Sequence, residues 1–179
     1  RDVPAGPAVP PLDVAKAQLT VEKRLFMYDN VQLPRLYMQW HSPRGFAPGD
    51  AEMDVVANIL AGGKNSRLHK RLVYDLQIAQ DVNAYQYSQQ LGGVFSIEVT
   101  ARSGHTLAEI ETLVQEEINK VKSEPPTVRE VQRAVNQYEA GFLARLERVG
   151  GFGGKADLLN NYFMLTGNPD YFNEDLSRY

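Results

Sequence analysis

The residues able to do chemistry are few, and their spacing decides what they can do. The 179-residue chain holds three histidines, His41, His69 and His105, and no cysteine. No histidine has a second one three or four positions away, so the His-x-x-x-His pair of a helical zinc site is absent. Each reads more plainly as an exposed or lightly packed side chain than as a metal ligand. His69 is the least ordinary, because it follows a glycine-rich joint. Without cysteine there are no disulfides, thiolate metal sites or thiol nucleophiles. That composition suits cytoplasm and periplasm alike.

The remaining polar groups form no catalytic set either. Gly62-Gly63-Lys64 with Ser66 invites a phosphate-binding reading, but that pattern needs Ser or Thr directly after the lysine. Asn65 stands there instead, and the segment follows a helix pattern rather than a strand. Glu116-Glu117 and the pair Asp50 and Glu52 read as solvated faces and helix-end charges. The serines lack a nucleophile-elbow context. Tyr85 and Tyr87 share one face of a Gln-rich strand and could line a peptide-binding edge, although ordinary packing is the plainer reading.

The elements that must position these residues follow from periodicity. Pro4, Pro7, Pro10 and Pro11 make residues 1–16 an extended linker, leaving 17–179 as one domain. Alternation predicts a strand over Gln18–Asp29, with Val21, Leu25 and Met27 on one face, and a second one carrying Leu36, Met38 and Trp40. Pro48-Gly49-Asp50 opens a helix to about Ala61, buried through Met53, Val56, Ala57 and Leu60. Gly62-Gly63 stops it. Ser66 can cap a helix over 66–76 that places Leu68, Leu72 and Leu76 on one face.

Ala79–Leu91 and 94–101 read as a hairpin turned at Gly92-Gly93, with Phe95, Ile97, Val99 and Ala101 on the buried side. Leu107, Ile110, Val114, Ile118 and Val121 mark a surface helix. Thr127-Val128-Arg129-Glu130 is a capping box, opening a long helix with Val128, Val131, Val135, Tyr138, Phe142, Leu146 and Val149 in register. Gly150 to Gly154 is a hinge before a helix over about 155–165. Gly167-Asn168-Pro169 starts a last helix. Strands do not alternate one-for-one with helices, so the fold class is α+β rather than a doubly wound parallel sheet.

The net charge is −3 and 43% of residues are hydrophobic, enough for one buried core without a basic field to draw nucleic acid. No apolar run approaches the roughly 20 residues of a membrane helix. The chain begins at Arg1 and ends at Tyr179 within a helical pattern, which suggests a domain of a longer protein.

One resemblance is carried by Leu60-Ala61-Gly62-Gly63-Lys64-Asn65-Ser66-Arg67-Leu68, Leu72-Val73-Tyr74-Asp75, Ile78-Ala79-Gln80-Asp81-Val82 and the later run from Leu146 to Asp157. In that order they resemble the inactive, non-zinc-binding domain of insulinase/pitrilysin-type zinc metallopeptidases, over about Gln18 to Tyr179. The resemblance implies a twisted, mainly antiparallel sheet covered by helices on one face. It also implies paired domains enclosing a chamber around a peptide, with zinc held by a His-x-x-Glu-His motif in the parent's other domain. No cofactor is expected in this chain. Its expected partners are that zinc-bearing domain and a peptide or unfolded polypeptide, with neither nucleic acid nor membrane. Family habit places such an enzyme in the bacterial periplasm.

In this family the inactive domain facing the zinc supplies an Arg and, seven positions later, a Tyr, which hold substrate and stabilise the oxyanion. Alignment through Ser66-Arg67-Leu68 and Ala79 puts Val73 and Gln80 there. Arg67 and Tyr74 are also seven apart but fall early, and read as a coincidence. The expectation is a non-catalytic domain with no catalytic, metal or substrate-binding residue of its own, completing the chamber beside the zinc domain. The alternative is a scaffold subunit of a catalytically dead relative, as in the core subunits of respiratory complexes.

Overall fold

The computed structural model describes residues 6–7, 10 and 18–179, so the expected linker over 1–16 falls almost wholly outside the described residues. The elements are β1 (Arg35–Ser42), α1 (Asp50–Ala61), a π-helix (His69–Asp75), β2 (Ala79–Ser88), β3 (Gly93–Ala101), α2 (Leu107–Ser123), α3 (Val128–Leu146), α4 (Lys155–Thr166) and α5 (Phe172–Leu176). The three strands pair antiparallel in the order β1-β3-β2. The expected α+β architecture is the observed one.

β3 is central because its alternation is the cleanest. Phe95, Ile97, Val99 and Ala101 point into a core completed by Leu60, Leu72, Ile110 and Val114 from the helical layer. Leu36 and Met38 of β1 and Val82 and Ala84 of β2 fall on the same face through the register. The hairpin turn requires glycine at position 93, where a Cβ would lie 2.6 Å from the Pro43 carbonyl oxygen. β3 is buried on its other face as well: Ser96 is 1% and Thr100 8% exposed. Gln39 and Arg35 of β1 cover them with hydrogen bonds of 3.3 and 2.9 Å.

Helix termini follow local chemistry. Thr106 caps α2 by accepting from the Glu109 amide. Thr127 and Glu130 form the full reciprocal capping box on α3.

Four expectations need correction. Gln18–Asp29 forms no strand: Leu25, Phe26, Met27 and Tyr28 are exposed, and Arg24 fastens the segment to Glu111 of α2 with bonds of 2.9 and 2.6 Å. Alternation marks a half-buried strand only where the segment pairs with a sheet edge, and this segment pairs with neither β1 nor β2. Ser66 does not cap the following helix; its hydroxyl donates back to the Gly63 carbonyl at 2.6 Å. Leu76 leaves the Leu68–Leu72 face and is 47% exposed, because the i→i+5 winding of a π-helix rotates a four-residue spacing off line. The α3 stripe is open at its ends, with Val128 and Val149 exposed and burial concentrated at Ala134 and Phe142.

Candidate functional site

The joint between α1 and β2 is where this domain's special backbone geometry collects. Gly63 adopts φ +100°, the left-handed turn that lets the chain leave α1. Leu68 and Leu72 anchor the π-helix with no exposed surface. A register shift follows at once: Ala79 pairs with Ala101 and Asp81 with Thr100, so Gln80 is the extra residue of a β-bulge. π-turns and bulges both recur where a fold must re-aim a side chain.

Val73 sits in the π-helix, partly buried against the core, and Gln80 is exposed at the bulge. The joint therefore presents two side chains from unusual backbone, and neither is an Arg or a Tyr. Val73 has no polar atom. Gln80 offers an amide that can hydrogen-bond but carries no charge.

Arg67 is committed elsewhere. Its Nε and Nη2 groups donate to the two Glu130 carboxylate oxygens at 2.7 and 3.0 Å. That side-on grip is the strongest geometry open to the pair. Hydrogen bonds from Arg67 hold the Glu130 carboxyl at about 2, against partial burial, with Thr127 helping. Tyr74, by contrast, is 73% exposed. Arg67 thus ties the joint to the N-terminus of α3.

A second arginine binds the π-helix to α2. Arg71 Nη1 donates to Glu117 at 2.6 Å, and its Nη2 pairs with Glu116. Lys120 reaches the same Glu117 oxygen at 2.8 Å. The expectation of a solvated Glu116-Glu117 face fails at Glu117, which is 5% exposed because two cations hold it against the core.

Asp50 departs from expectation in the same way and is 4% exposed. It accepts from the Phe46 amide at 2.8 Å, from Gln86 at 2.6 Å and from Arg178 at 2.8 Å. Arg178 also donates to Asp175 at 2.6 Å and lies 4.5 Å over the Phe46 ring. Burial opposes the Arg178 charge, but Asp50 and Asp175 outweigh it and raise its pKa. Tyr162 donates to Asp175 at 2.6 Å, and burial followed by that bond pushes the phenol up. Sequence periodicity had no means of finding this network, since Asp50 and Arg178 lie at opposite ends of the domain.

The histidines do not converge. His41 is exposed on β1, His105 lies 3.3 Å from Glu109, and His69 Nδ1 is buried without a hydrogen-bond partner among the described residues. No group of three or more His, Cys, Asp or Glu among the described residues could hold a metal ion. The donor set therefore does not fit a zinc site.

The sheet face away from the helices carries Tyr37, Tyr85 and Tyr87, exposed by 57%, 42% and 62%. The plainer packing reading of Tyr85 and Tyr87 is thereby corrected: β2 is an edge strand, and no described element covers this face. Tyr85 donates to Glu98 across the pair at 2.6 Å. Among the described residues no helix is long and apolar enough to cross a membrane.

The model of the peptidase M16 inactive domain matches residues 1–138, and the chain belongs to that family. Solved structures share its fold. A protease from Helicobacter pylori superposes with TM-score 0.72 at 17% identity, covering 84% of this chain and 36% of that one. A candidate zinc protease of Bordetella pertussis Tohama I gives 0.70 at 19%, covering 84% and 80%. Complex III2 from Candida albicans gives 0.62 at 18%, covering 82% and 37%. The chain thus spans about a third of the first and last of these chains and four-fifths of the second. No curated protein matches its sequence.

Proposed function

We propose that this chain is a non-catalytic domain of a zinc metalloendopeptidase. In this reading it packs against the zinc-bearing domain and completes the wall of a peptide-holding chamber. The observation that carries the reading is the joint: family membership with Val73 and Gln80 on the π-helix and bulge. The substrate-gripping Arg and Tyr would then come from another domain of the parent. Both edges of the sheet, β1 and β2, could accept an extended peptide by strand addition. Export to a bacterial periplasm belongs to the same proposal.

The test uses the full chain, first alone and then with a zinc-bearing domain of the same parent. Equilibrium dialysis against zinc should give no stoichiometric uptake by the chain alone, and a quenched-peptide assay no turnover. Adding the zinc domain should yield a complex and restore or raise cleavage. Stoichiometric zinc on this chain alone, or intrinsic turnover, would overturn the reading.

The likeness to a chain of complex III2 favours one second reading, a scaffold subunit of a catalytically dead relative. The parent sequence preceding Arg1 discriminates: an intact His-x-x-Glu-His supports the peptidase, and its loss supports the scaffold.

A further inference from the structure

Residues 18–30 are exposed throughout, and Leu25, Phe26, Met27 and Tyr28 stand out at 95%, 80%, 93% and 96%. Consecutive large apolar side chains are costly in water, and such a run is the mark of a strand covered on both faces. Among the described residues, the segment's only hydrogen bonds to another element are the two from Arg24 to Glu111 of α2.

The edge that matches it follows directly in the chain. β1 is paired on one side only, by β3, and its Leu36 and Met38 are just partly buried. The connection 29–34 begins with Asp29-Asn30, which favours a turn, and it bends at Asn30, Gln32 and Leu33. Laid antiparallel on β1 with Tyr28 opposite Arg35, the segment brings Met27 to Leu36 and Leu25 to Met38, on the core side. Lys23 then meets Trp40 at the exposed end, where its stem can lie along the indole with the ammonium in water. On the open face Phe26 falls opposite Tyr37 and Glu22 opposite His41, an aromatic pair and a carboxylate–imidazole pair. A one-residue slip either way would turn Leu25 and Met27 out to the open face and bring Arg24 to the core side.

We propose that residues 21–28 form a strap that closes on the β1 edge as a fourth strand, with Arg24–Glu111 as the latch that holds it open. In the closed position Arg24 lies on the open face opposite Gln39, whereas Glu111 belongs to α2 on the core side. The two positions therefore exclude each other. The latch is weak by construction, because the Arg24 side chain is 56% exposed and salt screens such a pair. Closure gives the strand order strap-β1-β3-β2 and leaves β2 as the edge open to an added strand. The device belongs to this chain whether or not the parent cleaves peptides.

The test uses the full chain, which has no cysteine of its own. Phe26→Cys with Tyr37→Cys places thiols at two exposed positions that closure sets directly opposite, within bridging distance. Mild oxidation at low protein concentration should give an intrachain disulfide, read as a monomer on a non-reducing gel with the mass of the oxidised pair. Met27→Cys with Tyr37→Cys samples the slipped register from equally exposed positions and should close about tenfold more slowly. Adding Glu111→Gln to the first pair should release the latch and speed closure about threefold, as should high salt. Disulfides that only join two chains, equal rates for the two pairs, or a rate indifferent to Glu111→Gln would each overturn the proposal.

Discussion

At the residue scale, the arginines of this domain act as fasteners. Arg67 illustrates the energetics, because its carboxylate partner also belongs to a helix cap. Glu130 titrates at about 2 in the folded chain against an ordinary 4.5. A depressed carboxylate contributes stability that is fully present above its unfolded value. That contribution is lost as the pH falls from 4.5 toward 2. Glu130→Gln should therefore cost about 2 kcal/mol at neutral pH. It should also flatten the acid side of the stability profile, read by urea unfolding at several pH values. Val73 and Gln80 differ in their tolerance. Gln80→Tyr, exposed at the bulge, should change stability by less than about 0.5 kcal/mol. Val73→Arg should cost about 1 to 2 kcal/mol, since its side chain packs against the core. Thermal melts of the two variants check the contrast.

At the element scale, two devices hold helices to the sheet. The π-helix is anchored through Leu68 and Leu72. Leu72→Ala should cost about 3 kcal/mol by leaving a cavity, measured by equilibrium unfolding. The last helices depend on a polar and aromatic clasp. Phe46 meets Tyr162 and Tyr171 edge-on at 5.7 and 5.4 Å, and Arg178 bridges Asp50 to Asp175. Removing one partner of a buried ion pair strands the other charge. Arg178→Ala should therefore cost about 3 kcal/mol. Its hydrogen exchange should rise selectively over Phe172–Leu176 and at the Phe46 amide. Uniform loss of protection across β3 instead would show that α5 is not a separable unit.

At the scale of the whole molecule, the domain is one hydrophobic layer between a small sheet and its helices, with Tyr37, Tyr85 and Tyr87 exposed on the opposite sheet face. That arrangement suits a unit that finishes its surface against a neighbour. On the proposed function, a zinc-bearing domain of the parent added to this chain should reduce the exposure of Tyr37, Tyr85 and Tyr87, measurable by tyrosine fluorescence quenching with an added small quencher. Much of this was legible from local pattern. The α3 capping box, the β2–β3 hairpin, the Asp50–Ala61 helix and the alternation of β3 are interactions between residues close in sequence. The Gly62–Leu68 turn identified the family, because glycine and small polar residues are needed where the backbone turns left-handed. Other features were beyond that reach. The segment 18–29 has a strand's alternation but pairs with neither edge strand, and Leu76 leaves its face through π-winding. Asp50 and Glu117 are buried because distant arginines reach them. Sequence alone thus determined the local elements, the absence of a histidine zinc pair and the identity of Val73 and Gln80. Only tertiary structure decided which charges are buried and which arginines pair with them, because those depend on residues that meet only after the chain has folded.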